Sequence, residues 1–134
     1  MNFLFVYGTL QQSANPFGLH LAEHSTKITL GKFRGRLFDI GPYPGAIYDD
    51  MANTYVQGSV LSLHHLAGTL NLLDEYEGFG STEAQPNEFV RELIDVECSS
   101  GTLQCWAYLY NLPVCDFTHI ESGDYLQYIS KKIP

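Results

Sequence analysis

A chain of 134 residues, 45% of them hydrophobic, is the size of one globular domain and can bury its own core without a disulfide staple. Fifteen acidic residues against seven Lys and Arg give a formal charge of −8, which opposes nucleic-acid phosphates and anionic membrane surfaces. No apolar run approaches the roughly 18 residues of a membrane helix, and three Cys without CxxC spacing read as reduced thiols of a cytoplasmic chain.

The segment Met1-Asn2-Phe3-Leu4-Phe5-Val6 has neither the basic region nor the long apolar region of a signal peptide. Residues 3–7 read as a strand that runs directly into a Gly-Thr turn at Gly8-Thr9. A short helix is expected around 16–24, then a strand over 27–38 with Gly31 and Gly35 marking bends or bulges. "DIGPYPGAIYD", residues 39–49, is a Gly/Pro-rich turn leading into a short strand, and "TYVQGSVLSL", 54–63, is another strand. "HHLAGTLNLLDEYEGF", 64–79, is the clearest helix, with Gly78 placed to end it. A polar loop follows over 79–87.

"FVRELIDVEC" and "LQCWAYLY" flank "SSGT" and read as a hairpin. In its second arm Leu103, Cys105, Ala107 and Leu109 share one face, and Gln104, Trp106, Tyr108 and Tyr110 the other. With Gly101-Thr102 as a two-residue turn, Cys98 and Cys105 would stand opposite each other, although reduced packing suits them better. The tail over 116–132 holds a terminal helix. Many strands, few helices and no βαβ alternation describe one α+β domain over 1–134, a small mixed β-barrel with a few short flanking helices.

One carboxylate sits on an unexpected face. Leu66, Leu70 and Leu73 define the apolar stripe of the main helix, and the same spacing puts Glu77 on that stripe at its last turn. Asp74 is one step round, and Glu75 faces water. A carboxylate on a core-facing stripe is costly unless paired. Desolvation and the helix C-terminus both raise its pKa, which suits a general acid/base. On periodicity alone, a frayed helix end that lets Glu77 reach solvent is the readier account.

The Gly8-Thr9 turn has two readings as well. Backbone N–H groups left at the end of a buried strand can form an anion-binding nest, and Gly8 allows close approach of a ligand. Taken alone, an ordinary strand-to-loop turn accounts for it better. It is no nucleotide loop, since G-x-G-x-x-G and Gly-Lys-Ser/Thr are absent.

Other signals carry less. "HLAEH", His20 to His24, fits H-x-x-E-H, but a catalytic zinc needs a third protein ligand, so the match is read as coincidence and neither metal nor cofactor is expected. His64 and His65 are read as first-turn helix residues. Cys115 has no neighbouring His or basic residue and is given no nucleophilic role.

Three segments together carry a resemblance. "VYGTL" at 6–10, "GPYPGAIYD" at 41–49 and "LDEYEGF…FVRELIDV" at 73–96 resemble the gamma-glutamylcyclotransferase-like family, which includes gamma-glutamylamine cyclotransferases and plant avirulence-induced proteins. The tail "WAYLYNLP…IESGDYLQY" is similar to bacterial members. The resemblance implies a mixed β-barrel with a pocket at one end. It implies that the loop Tyr7, Gly8, Thr9 and Leu10 binds the glutamyl α-carboxylate region, and that Glu77 is the catalytic acid/base. Tyr43 and Tyr125 are candidates for the pocket wall, with barrel packing as the alternative. Two departures bear on the substrate's leaving half: Gln11-Gln12-Ser13-Ala14-Asn15 after the loop, and Phe89 where a tyrosine is usual ahead of Arg91.

The implied reaction is attack of a substrate α-amine on its own γ-carbonyl, releasing 5-oxoproline and an amine. The expected partner is a small γ-glutamyl molecule, with no nucleic acid, no membrane, and a monomer or weak dimer. A non-catalytic metabolite- or protein-binding module on the same barrel is the alternative, and a zinc hydrolase rests on "HLAEH" alone.

Overall fold

A computed structural model describes residues 2–8, 11, 16–81, 83 and 85–132. In chain order the elements are β1 (Phe3–Val6), α1 (Pro16–His24), β2 (Ser25–Asp39), β3 (Pro44–Tyr48), β4 (Tyr55–Leu63), α2 (Leu66–Glu77), β5 (Phe89–Cys98), β6 (Gly101–Tyr110), β7 (Thr118–His119) and α3 (Tyr125–Lys132).

Five strands close on themselves. β2 runs antiparallel to β4, β4 to β1, and β6 to β5, while β1 lies parallel to β6 with Leu4 beside Trp106. Pairing of Lys32 with Glu97 joins β5 back to β2 and completes a mixed barrel. β2 is long enough to serve twice. It pairs β4 as far as Arg34, then from Gly35 onward carries β3, with β7 beside Phe38 and Asp39. Gly31 and Gly35 are therefore not bulges: both sit in regular register, opposite Gly58 and Tyr48, and the register shift falls earlier, between Lys27 and Thr29. The glycines alternate with Phe33 and Leu37 on the inward face, where a small residue leaves room for the neighbouring strands.

The strand Phe3–Val6 is apolar throughout because both of its faces are covered. Phe5 points into the barrel, packed edge-on against Phe33 at 5.4 Å between centroids. Leu4 and Val6 point outward, under α1 and α2, among Leu21, Leu61, Leu70, Leu73 and Tyr108. Strand β6 divides as its alternation predicts, with Cys105, Ala107 and Leu109 inside the barrel and Tyr108 and Tyr110 in the outer cluster.

The hairpin register differs from expectation. Its turn is Ser99-Ser100, with Cys98 opposite Gly101, so Cys105 faces Ile94 rather than Cys98. All three cysteines are free thiols. Burial pushes the Cys105 thiol up to about 12, which leaves it inert.

Helix α2 starts one or two residues later than its histidines: His65 is the cap residue, and His64 shares a 2.9 Å hydrogen bond with Thr26. Leu70 and Leu73 are buried, and each such side chain contributes about 1.5–3 kcal/mol. The helix stops at Glu77 because Gly78 turns left-handed at φ 69°. Gly78 N–H then donates to Glu75 O at 3.2 Å and Phe79 N–H to Asp74 O at 2.8 Å, the paired bonds of a Schellman ending. Among the described residues no helix is long and apolar enough to cross a membrane.

Candidate active site

Strand and helix ends meet at one end of the barrel. The end of β1 (Val6, Tyr7, Gly8), the start of β3 (Tyr43, Pro44), the end of α2 (Tyr76, Glu77) and the start of β5 (Glu88, Phe89) surround a cavity of about 280 Å³, with Phe5 and Tyr108 completing it. Four residues singled out from the sequence, Tyr7, Gly8, Tyr43 and Glu77, thus line one space. Thr9 and Leu10 lie outside the described residues. Tyr125 is not brought there: it packs in the barrel interior with Ile120 and Val56, the alternative its aromatic body allowed.

The helix does not fray. The Schellman ending holds the last turn, and Glu77 turns its carboxyl into the cavity. Burial, with the charge of Glu88 added, pushes that carboxyl from its ordinary 4.5 to about 7. Its position at the helix C-terminus acts in the same sense. No cation is paired with it among the described residues.

Asp74, one turn earlier, has the opposite surroundings. Arg91 grips it through two bonds, Nε to Oδ1 at 2.8 Å and Nη2 to Oδ2 at 3.1 Å, and Tyr108 Oη donates to Oδ1 at 2.7 Å. The guanidinium also lies 4.6 Å from the Trp106 ring centre. This network ties α2 to β5 and β6 and pairs Asp74 with a cation, whereas Glu77 has none among the described residues. Two carboxylates three residues apart therefore have different chemistry, set by their neighbours.

Tyr7 forms part of the cavity floor. Its hydroxyl donates to Tyr108 O at 2.5 Å and accepts from Ala46 N–H at 3.3 Å, joining β1, β6 and β3. Burial raises its pKa far above the ordinary tyrosine value, with Glu77 adding, so it stays neutral. Gly8 is needed for a close approach: a Cβ there would stand 2.8 Å from Pro44 Cγ. Its carbonyl turns back to accept from Gln11 N–H at 3.1 Å. On the far wall, Tyr43 donates its hydroxyl to Glu88 Oε2 and packs against Phe89 at 5.6 Å.

Glu88 is a cavity residue that sequence reasoning missed. It stands just before β5, where neither strand alternation nor helix spacing reaches. The one usable signal is its place two residues after Pro86 and one before the "FVR" segment. His20 and His24 stack on each other at 4.3 Å, but no group of three metal-ligating side chains forms among the described residues.

The fold is thus a closed mixed barrel with short flanking helices, and a pocket at its end holds a buried carboxyl. The sequence model of the family "Gamma-glutamyl cyclotransferase, AIG2-like" matches residues 4–127, and the chain belongs to that family. It is 31% identical over 124 residues to the gamma-glutamylcyclotransferase family protein YtfP of Escherichia coli K12, covering 92% of this chain and 95% of YtfP. It is also 31% identical over 128 residues to the gamma-L-glutamyl-butirosin B gamma-glutamyl cyclotransferase of Niallia circulans, covering 93% of this chain and 76% of that one. Among solved structures, YkqA of Bacillus subtilis superposes with a TM-score of 0.71 at 28% identity, over 98% of this chain and 42% of YkqA. The chain thus spans less than half the length of YkqA.

Proposed function

We propose that the protein is a γ-glutamyl cyclotransferase with Glu77 as its single acid/base. The observation that carries the proposal is a carboxyl held at about 7 in the cavity, free of any paired cation among the described residues. Such a group takes and returns protons at neutral pH. The relative from Niallia circulans, whose name states a γ-glutamyl substrate, supports the same chemistry.

The substrate's γ-glutamyl group enters the cavity with its α-carboxylate toward the Tyr7–Leu10 loop. Ionised Glu77 removes a proton from the α-ammonium. The freed nitrogen attacks the γ-carbonyl carbon, a C–N bond closes the five-membered ring, and a tetrahedral oxyanion forms. Glu77 delivers its proton to the amide nitrogen, whose bond to the γ-carbon then breaks. Two protons in all leave the α-nitrogen and two reach the departing nitrogen, which leaves as an ammonium ion beside 5-oxoproline. No water is consumed. Nucleophile and electrophile share one molecule, so much of the entropic advantage lies in the substrate and the protein needs few parts. The apolar walls Phe5, Val6 and Phe89 keep the carboxyl desolvated.

The test is 5-oxoproline release from a panel of γ-glutamyl amines and dipeptides, glutathione included, by the parent protein and Glu77→Gln. The variant is expected to stay folded and lose about 10²- to 10⁴-fold in turnover. Near-parental release by the variant removes Glu77 from the reaction.

A further inference from the structure

The cavity holds more negative charge than the proposed ring closure needs. Glu77 suffices for the protons, yet Glu88 also lines the space, and among the described residues no Lys, Arg or His lines it. Glu88 is close enough for its charge to act on Glu77. It is also a held group. Tyr43 donates its hydroxyl to Oε2. Its surroundings are clamped: the Asn87 side-chain amide exchanges two bonds with the Gly80 backbone, at 3.0 and 3.1 Å, and Asn111 N–H donates to Glu88 O at 2.7 Å. No cation pairs with Glu88 among the described residues. A carboxylate so fixed, in a partly dehydrated pocket without a counterion, favours a ligand that brings one.

The glutamyl half of a substrate carries one ammonium, and ring closure requires that ammonium at Glu77. The second carboxylate is then available to what remains, the leaving half. We infer that Glu88, aimed by Tyr43, is a specificity-determining residue that selects γ-glutamyl amides whose leaving amine bears a second positive charge. This inference rests on the cyclotransferase reading above. A terminal ammonium replaces water around Glu88 with a charge-assisted hydrogen bond. A neutral end leaves the carboxylate uncompensated, and a terminal carboxylate is repelled. A hydrogen bond to an ionised partner corresponds to about ten- to hundredfold in affinity.

Three substrates of matched length separate these cases: the γ-glutamyl amides of diaminobutane, of n-pentylamine and of aminobutyrate. The parent protein is expected to show kcat/KM about ten- to hundredfold higher for the diamine amide than for the pentylamine amide, and lowest for the aminobutyrate amide. In Glu88→Gln the diamine-to-pentylamine ratio is expected to fall to within about threefold of one, and in Tyr43→Phe to fall part of the way. A ratio measured on one preparation is unaffected by how much of a variant is folded. A parent protein without preference for the diamine amide, or a variant that loses equally on all three, overturns the inference and assigns Glu88 to the glutamyl half or to folding.

If no 5-oxoproline is released from any γ-glutamyl compound, the cyclotransferase reading fails by itself. Calorimetric binding of the same three compounds to the parent and to Glu88→Gln then decides the role of Glu88. Tighter binding of the diamine amide by the parent, lost in the variant, sustains it; equal binding overturns it.

Discussion

Glu77→Gln has a consequence for stability that is separate from its effect on turnover, and its sign follows from burial. In the unfolded chain Glu77 ionises near 4.5, and in the folded protein near 7. Below about 4.5 the group is protonated in both states and folding is unaffected by it. Between 4.5 and 7 the unfolded chain releases the proton while the folded protein holds it, so stability falls as pH rises. Above 7 both states are ionised and the loss is complete. A shift of this size corresponds to about 3 kcal/mol, nearer 2 after allowing for the partial exposure of Glu77. Gln has the same shape and no charge to bury. Urea unfolding of the parent and the variant should therefore agree within about 0.5 kcal/mol near pH 4 and diverge as pH rises. Near pH 8 the variant should be about 2–3 kcal/mol more stable. A stability difference flat from pH 4 to 8 would show that Glu77 is solvated, and the proposed acid/base role would lose its physical basis. An inactive variant that is more stable than its parent is the signature expected of a group strained for function.

Four further outcomes follow from the same geometry. The pH profile of kcat/KM should rise with a midpoint near 7 as Glu77 ionises. In Glu88→Gln that midpoint should move to lower pH, because the Glu88 charge is the second cause of the raised value. Arg91→Ala should cost about 2–3 kcal/mol by chemical denaturation, since it leaves Asp74, with a side chain 18% exposed, without its bidentate partner. Arg91→Lys should recover part of this; a neutral result for Arg91→Ala would mean that the network adds nothing to holding α2. Leu73→Ala, at a fully buried position, should cost about 2–5 kcal/mol and loosen the helix that carries Glu77, read as lower kcat together with a lower unfolding midpoint.

Periodic side-chain patterns made much of this molecule legible before its fold was known. Leu66, Leu70 and Leu73 marked a helix face, and a chemically odd residue on that face marked Glu77. The alternation along 103–110 sorted Cys105 and Ala107 from Tyr108 and Tyr110 correctly because a strand offers only two sides. Gly78 announced the end of α2 because that residue adopts a left-handed φ. These signals are local, and each depends on residues within a few positions of one another. What pairs distant positions was not legible. The Ser99-Ser100 turn moved Cys98 away from Cys105, because several two-residue turns were compatible with "SSGT" and strand register chose among them. Gly31 and Gly35 read as bends or bulges, and pairing shows regular register at both, with β2 changing partners from β4 to β3 at Gly35. Tyr125 resembled a pocket residue, yet its helix packs it into the barrel. Glu88 lies in no periodic segment, and only the meeting of β5 with β3 and α2 sets it beside Tyr43 and Glu77. Helical spacing put Glu77 on the apolar stripe of α2 and left open whether its end frays into solvent. The tertiary structure alone decided what surrounds that carboxyl, because burial and counterions come from chain segments far apart in sequence.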